Sequence, residues 1–143
     1  MKEVTRVTLK GFSGYGPYDE GYTDKLTLTQ DFVSYECIPN FESDVNPHIK
    51  WKYSTNNQMF KNVFKDIASL VEETLSREID VFCTDIGGIE FTLIYLDKTK
   101  VKRHYWLPAD YFYDIIKLIK MLVPPTENMP VILLTEDDFL VEE

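Results

Sequence analysis

The chain has only two cysteines and two histidines, the residues that build most thiolate and imidazole metal sites. Cys37 and Cys83 lie far apart, and neither His48 nor His104 has a second ligand at helical or turn spacing, so no metal site and no disulfide framework are expected. The thiols read as reduced cysteines of a cytoplasmic protein. Long apolar runs are also missing, which argues against a transmembrane helix. The opening MKEVTRVTLK lacks the continuous apolar segment of a secretory signal and reads as a first strand. Positive charge is scarce. Fifteen Lys and Arg stand against 24 Asp and Glu, a net charge of −9, which repels nucleic acid and anionic membrane at long range and favours a basic partner.

Phosphate and calcium motifs fail on spacing. Gly11, Gly14 and Gly16 follow a strand, but no Lys-Ser/Thr pair comes after them and Pro17 stands where a helix would open. Asp19-Glu20, Glu72-Glu73 and Asp137-Asp138 lack the glycine-punctuated order of a calcium loop. No cofactor is expected.

Apolar and aromatic residues are abundant, at 44% and 14% of the 143 residues, enough for one domain with a sizeable core. Phe60, Val63, Phe64, Ile67, Val71 and Leu75 recur at helical spacing behind the capping run Ser54-Thr55-Asn56-Asn57, which predicts a helix ending near Ser76. Phe112, Ile115, Ile116, Ile119 and Leu122 form a second stripe that starts at Pro108 and stops at Pro124-Pro125. Shifted by 52 residues, Phe60 falls on Phe112 and Ile67 on Ile119, a hint of a duplicated ββα unit.

Val4 to Leu9, Lys25 to Thr29, Phe32 to Ile38 and His48 to Ser54 read as strands, the middle two joined at Gln30-Asp31. Ile79 to Thr84 is a short apolar run. Ile89 to Leu107 predicts a central hairpin. With a two-residue loop at Lys98-Thr99, Phe91, Leu93, Tyr95, Lys102, His104 and Trp106 share one face, while Thr92, Ile94, Leu96, Val101, Arg103, Tyr105 and Leu107 share the other. Both faces would then carry large apolar groups, as in a strand pair covered on each side. Val131 to Leu134 reads as a last strand or an apolar strap, and residues 135–143 as an acidic, frayed tail. The expected fold is α+β: an antiparallel sheet of about six strands in the order meander, helix, hairpin, helix, with both amphipathic helices on one face. In length and composition the chain resembles small soluble bacterial α+β proteins, and no motif names a family.

Three features invite a functional reading. Cys83-Thr84-Asp85 before Gly87-Gly88, with His104 on a neighbouring strand, has the residue types of a nucleophile, an orienter and a base. A buried cysteine is equally a small apolar residue, and a carboxylate at Asp85 would raise the thiol pKa, against activation. Lys98, Lys100, Lys102, Arg103 and His104 beside Tyr105 and Trp106 make a basic strip of the kind that binds single strands, against which the net charge argues. Tyr15, Tyr18, Asp19, Glu20 and Tyr22 crowd one glycine-rich loop and suit a protein-binding surface. The leading reading is an acidic protein-binding module without catalysis, regulatory, inhibitory or immunity-type, including a nucleic-acid mimic. The alternative is a small-ligand-binding protein or thiol-dependent enzyme with a pocket near Cys83, Asp85 and His104.

Overall fold

The computed structural model describes residues 3–12, 21–44, 46–77, 88–107, 109–126 and 129–135. Six strands form one antiparallel sheet: β1 (Val4–Phe12), β2 (Tyr22–Leu28), β3 (Phe32–Pro39), β4 (Ile49–Ser54), β5 (Ile89–Tyr95) and β6 (Lys100–Tyr105). Their order across the sheet is β4-β3-β2-β1-β5-β6. A four-stranded meander therefore runs outward from a central β1, and the chain must return over it to place β5 on the other side of β1. Helix α1 (Gln58–Leu75) makes that return. Its 18 residues span about 27 Å, more than the four strand spacings, roughly 19 Å, between β4 and β5. Helix α2 (Tyr113–Leu122) follows β6 through a 3-10 turn at Ala109–Phe112. Six strands and two helices on one face are the architecture that the periodicities predict.

Strand alternation decides which face is covered. Val7, Leu9, Leu26, Leu28, Val33, Phe91 and Leu93 point one way and are fully buried. They are in register across the strands, with Leu9 opposite both Leu26 and Phe91, and Val7 opposite both Leu28 and Leu93. Both helical stripes lie against them, from Phe60 to Leu75 on α1 and from Phe112 to Leu122 on α2. Phe91, Tyr105 and Phe112 form an edge-to-face aromatic cluster with centroids 5.0–6.0 Å apart, which locks α2 onto β5 and β6.

The central hairpin departs from the expected register. Its loop holds three residues, Leu96, Asp97 and Lys98, and Lys98 adopts the left-handed conformation at φ 69°. Asp97 accepts from the amide and the hydroxyl of Thr99, which fixes the turn. Leu93 consequently faces Val101, and Phe91 faces Arg103. Relative to a two-residue loop this exchanges the faces of β6 and leaves those of β5 alone. Phe91, Leu93, Tyr95 and Tyr105 now share the helix side, and the opposite side is mainly polar, with Phe12, Ile38 and Ile94 as apolar exceptions. Val131 to Leu134 is a strap and not a strand: Val131–Leu133 forms a 3-10 turn whose Ile132 and Leu133 are buried against β1 and β2. The apolar run Ile79 to Thr84 lies outside the described residues.

Helix α1 opens as its sequence implies. The Asn57 carboxamide oxygen accepts from the amides of Met59 and Phe60, at 2.7 and 3.4 Å. At the other end Arg103 donates from one guanidinium nitrogen to the carbonyls of Leu75 and Arg77, at 3.2 and 2.7 Å, where the helix dipole favours a cation. Replacing Asn57 with Ala is expected to lower unfolding stability by about 1 kcal/mol through the loss of the cap. Denaturant melting checks this, and a shift of under about 0.3 kcal/mol would show that solvent replaces the cap without loss.

Candidate functional site

Two places in the fold concentrate chemistry, one on each side of the sheet. On the helix side, Asp24 breaks the apolar pattern. It shares the parity of Leu26 and Leu28 on β2 and is 1% exposed. Its Oδ2 accepts from the Tyr35 hydroxyl at 3.0 Å and from the Ile132 amide at 2.9 Å. The Tyr35 hydroxyl oxygen in turn accepts from the Val131 amide at 3.3 Å. One carboxyl and one phenol thus take up two amides of the strap and pin it to the sheet. Opposite Asp24 on β1 stands Gly11, where a Cβ would come within 2.3 Å of Asp24 Oδ1. Only glycine leaves room for the carboxyl at that position.

Burial pushes the Asp24 carboxyl up from its ordinary value, while the donors Ile132 and Tyr35 pull it down by less. Burial likewise raises Tyr35 and the Cys37 thiol, and the nearby Asp24 carboxylate raises both further. A buried thiol pushed upward is a poor nucleophile. Tyr22, at the start of β2, is half-buried and is raised by the same two causes. Beside Asp24 lies a cavity of about 170 Å³ bordered by Gly11, Gly88, Leu107 and Ile132. Gly88 has φ +87°, and a Cβ there would sit 2.0 Å from the Tyr105 carbonyl oxygen.

The other side of the sheet has no helix over it among the described residues. Its side chains form transverse rows, one residue per strand. One row reads Lys50, Glu36, Lys25, Lys10, Glu90 and His104 from β4 to β6. The adjacent row reads Lys52, Ser34, Thr27, Thr8, Thr92 and Lys102, a ladder of four hydroxyls closed by a lysine at each end. Arg6 and Lys100 follow on β1 and β6. Among the described residues, the strands present seven Lys and Arg on this face, Arg6, Lys10, Lys25, Lys50, Lys52, Lys100 and Lys102, and two Glu, Glu36 and Glu90. Glu90 lies 3.7 Å from the Lys102 ammonium and 4.0 Å from the His104 ring, and Glu36 is 2.8 Å from His48. Lys10 extends over the Phe12 ring and Lys52 over Phe32. At one corner Phe12, His104 and Trp106 stack, with centroids 5.1 and 4.4 Å apart, and Trp106 is 55% exposed.

Of the site residues singled out from sequence, His104 and Tyr22 are described. His104 lies on the open face, stacked between two aromatic rings, on the opposite side of the sheet from the Asp24 cavity. Cys83 and Asp85 lie outside the described residues, as do Tyr15, Tyr18, Asp19 and Glu20. Tyr22 borders the Asp24 cavity. The basic strip of β6 is split by alternation: Lys100, Lys102 and His104 face outward, while Arg103 and Tyr105 face the helices. Asp24 was not among the expected site residues, although its two-residue offset from Leu26 marks it as inward-pointing. No group of three or more His, Cys, Asp or Glu among the described residues is arranged to hold a metal ion. Comparison with protein-family models, with curated proteins and with solved structures finds no match.

The raised Asp24 pKa has a signed consequence. The folded state holds this proton more tightly than the unfolded chain, so the stability from this group is full below the ordinary value of 3.8 and is lost as pH rises through the folded value. The stability of the native chain relative to its Asp24→Asn variant is expected to fall as pH is raised from below 3.8 to 7. Paired denaturant melts measure it, and a constant or rising difference would show that burial does not hold the proton on.

Proposed function

We propose that the chain is a small cytosolic protein-binding module that acts without catalysis, in a regulatory, inhibitory or immunity-type role. The observation that carries this reading is the contrast between the two faces of the sheet. The buried Asp24 carboxyl and Tyr35 phenol on the helix side are held in structural hydrogen bonds to each other and to the strap, and the Cys37 thiol is buried beside them. The opposite face presents a broad array of exposed polar side chains with an exposed tryptophan at its corner. The free Cys37 thiol is buried, in keeping with a reducing compartment, and no helix among the described residues is long and apolar enough to cross a membrane.

An acidic mimic of nucleic acid would have to use some other surface, because this face is basic. The rival reading, a small-ligand-binding protein or thiol-dependent enzyme near Cys83, Asp85 and His104, draws support from the cavity of about 170 Å³ beside Gly88 and Asp24. His104 lies across the sheet from that cavity, and Cys83 and Asp85 lie outside the described residues.

Affinity capture from extract of the source cells tests the binding reading. Tagged full-length protein is expected to retain one stoichiometric partner at low salt, and an excess of untagged folded protein is expected to displace it. Failure to recover a stoichiometric partner at both low and high salt would contradict the proposal.

A further inference from the structure

The net charge of the chain favours a basic partner, yet the open face of the sheet has the opposite sign. We infer that this face docks an acidic protein segment, an extended run of carboxylates lying across the strands along the hydroxyl ladder. The inference rests on the protein-binding reading above and names the partner's chemistry.

Charge placement is the first support. Lys10 and Lys25 stand directly opposite each other on β1 and β2. Like charges in that relation destabilise a strand pair, and an anion laid between them reverses the sign of the interaction. Lys25, Lys50, Lys100 and Arg6 take part in no ion pair among the described residues, so their charge is available. Shape is the second support. Ser34, Thr27, Thr8 and Thr92 are short, so they form a shallow trough between taller lysines; Thr92 is buried, and the half-buried hydroxyls of Ser34, Thr27 and Thr8 can donate to carboxylates. Lys52 and Lys102 close its ends. Those ends are five strand spacings apart, roughly 24 Å, the reach of about seven residues of extended chain.

The packing of the aromatic corner favours an acidic protein over a single-stranded nucleic acid. The aromatic rings Phe12, His104 and Trp106 stack on one another at one corner, so they do not form a series of free platforms for successive bases. The acidic remainder of the chain also repels a polyanion that extends beyond the face.

The test uses purified full-length protein and a fluorescent peptide of about eight alternating Glu and Ser residues, matched to the length of the trough. Binding is measured at about 0.01 M salt, where charges act over roughly 30 Å, and again at about 0.15 M, where they act over roughly 8 Å. The inference predicts binding at low salt that weakens at the higher salt and drops at least tenfold in a Lys25→Glu, Lys52→Glu, Lys102→Glu variant. A variant with Gln at the same three positions serves if the reversed one fails to fold, and is expected to bind more weakly than the native chain. Absence of peptide binding at low salt, or equal binding by the folded variants, would overturn the inference. Tighter binding of an oligothymidylate of equal charge would reassign the face to nucleic acid. Salt-sensitive self-association abolished in the variant, without peptide binding, would assign it to a second copy of this chain. A partner captured equally well by native chain and variant would leave the binding module standing and remove this face from it.

Discussion

The period-two alternation of the strands is the constraint on which the rest depends. The strands send most of their aliphatic residues to one side and their lysines, threonines and serines to the other, with Ile38 and Ile94 on the polar side. Because the registers align these sets across six strands, the sheet has one oily side and one wet side. The helices have only one place to go. Burying a side chain such as Ile67 or Phe91 contributes about 1.5–3 kcal/mol, and neither helix has a second apolar stripe to spend elsewhere. Among the described residues, two helices on one side and none on the other follow from this.

The exceptions to the alternation hold the layers together. Asp24 and Arg103 are charged residues on the oily side, and each meets backbone groups that a neighbouring element leaves unsatisfied. Arg103 takes carbonyls at the end of α1, and Asp24 takes an amide of the strap. Tyr95 does similar work at the far end of β5, donating from its hydroxyl to Glu72 on α1 at 2.7 Å, and that bond is the main cause that raises its phenol to about 12. Polar groups on the buried side thus orient the helices and the strap, while apolar contact supplies most of the attraction. Gly11 shows how tight the arrangement is, since the space of one methyl group is taken by the Asp24 carboxyl.

Much of this was legible before the structure. The two helical stripes, the Asn57 cap, the Gln30-Asp31 hairpin and the alternation of β3 are local patterns, and local patterns are what a sequence displays. The hairpin at Asp97 was misjudged because a lysine in the left-handed conformation leaves no mark like that of glycine, and one residue of loop length exchanges the faces of a strand. That slip made the sheet look apolar on both sides and hid the open face. The basic array was hidden for a different reason. Lys10, Lys25, Lys50 and Lys102 are scattered along nearly the whole chain, and only the strand order brings them into two adjacent rows. Net charge, summed over the whole chain, points the other way.

Among the described residues, an acidic protein thus gathers lysines on the face of its sheet that no helix covers. Trp106 reports on that face from its corner, stacked on His104 and 55% exposed. In a Trp51→Phe background it is the sole tryptophan. Its fluorescence can be quenched with iodide and with caesium, each normalised to free tryptophan amide. The account predicts that iodide is the more effective at low salt and that its advantage shrinks as salt rises. Preferential quenching by caesium, the result expected from the net charge alone, would contradict it.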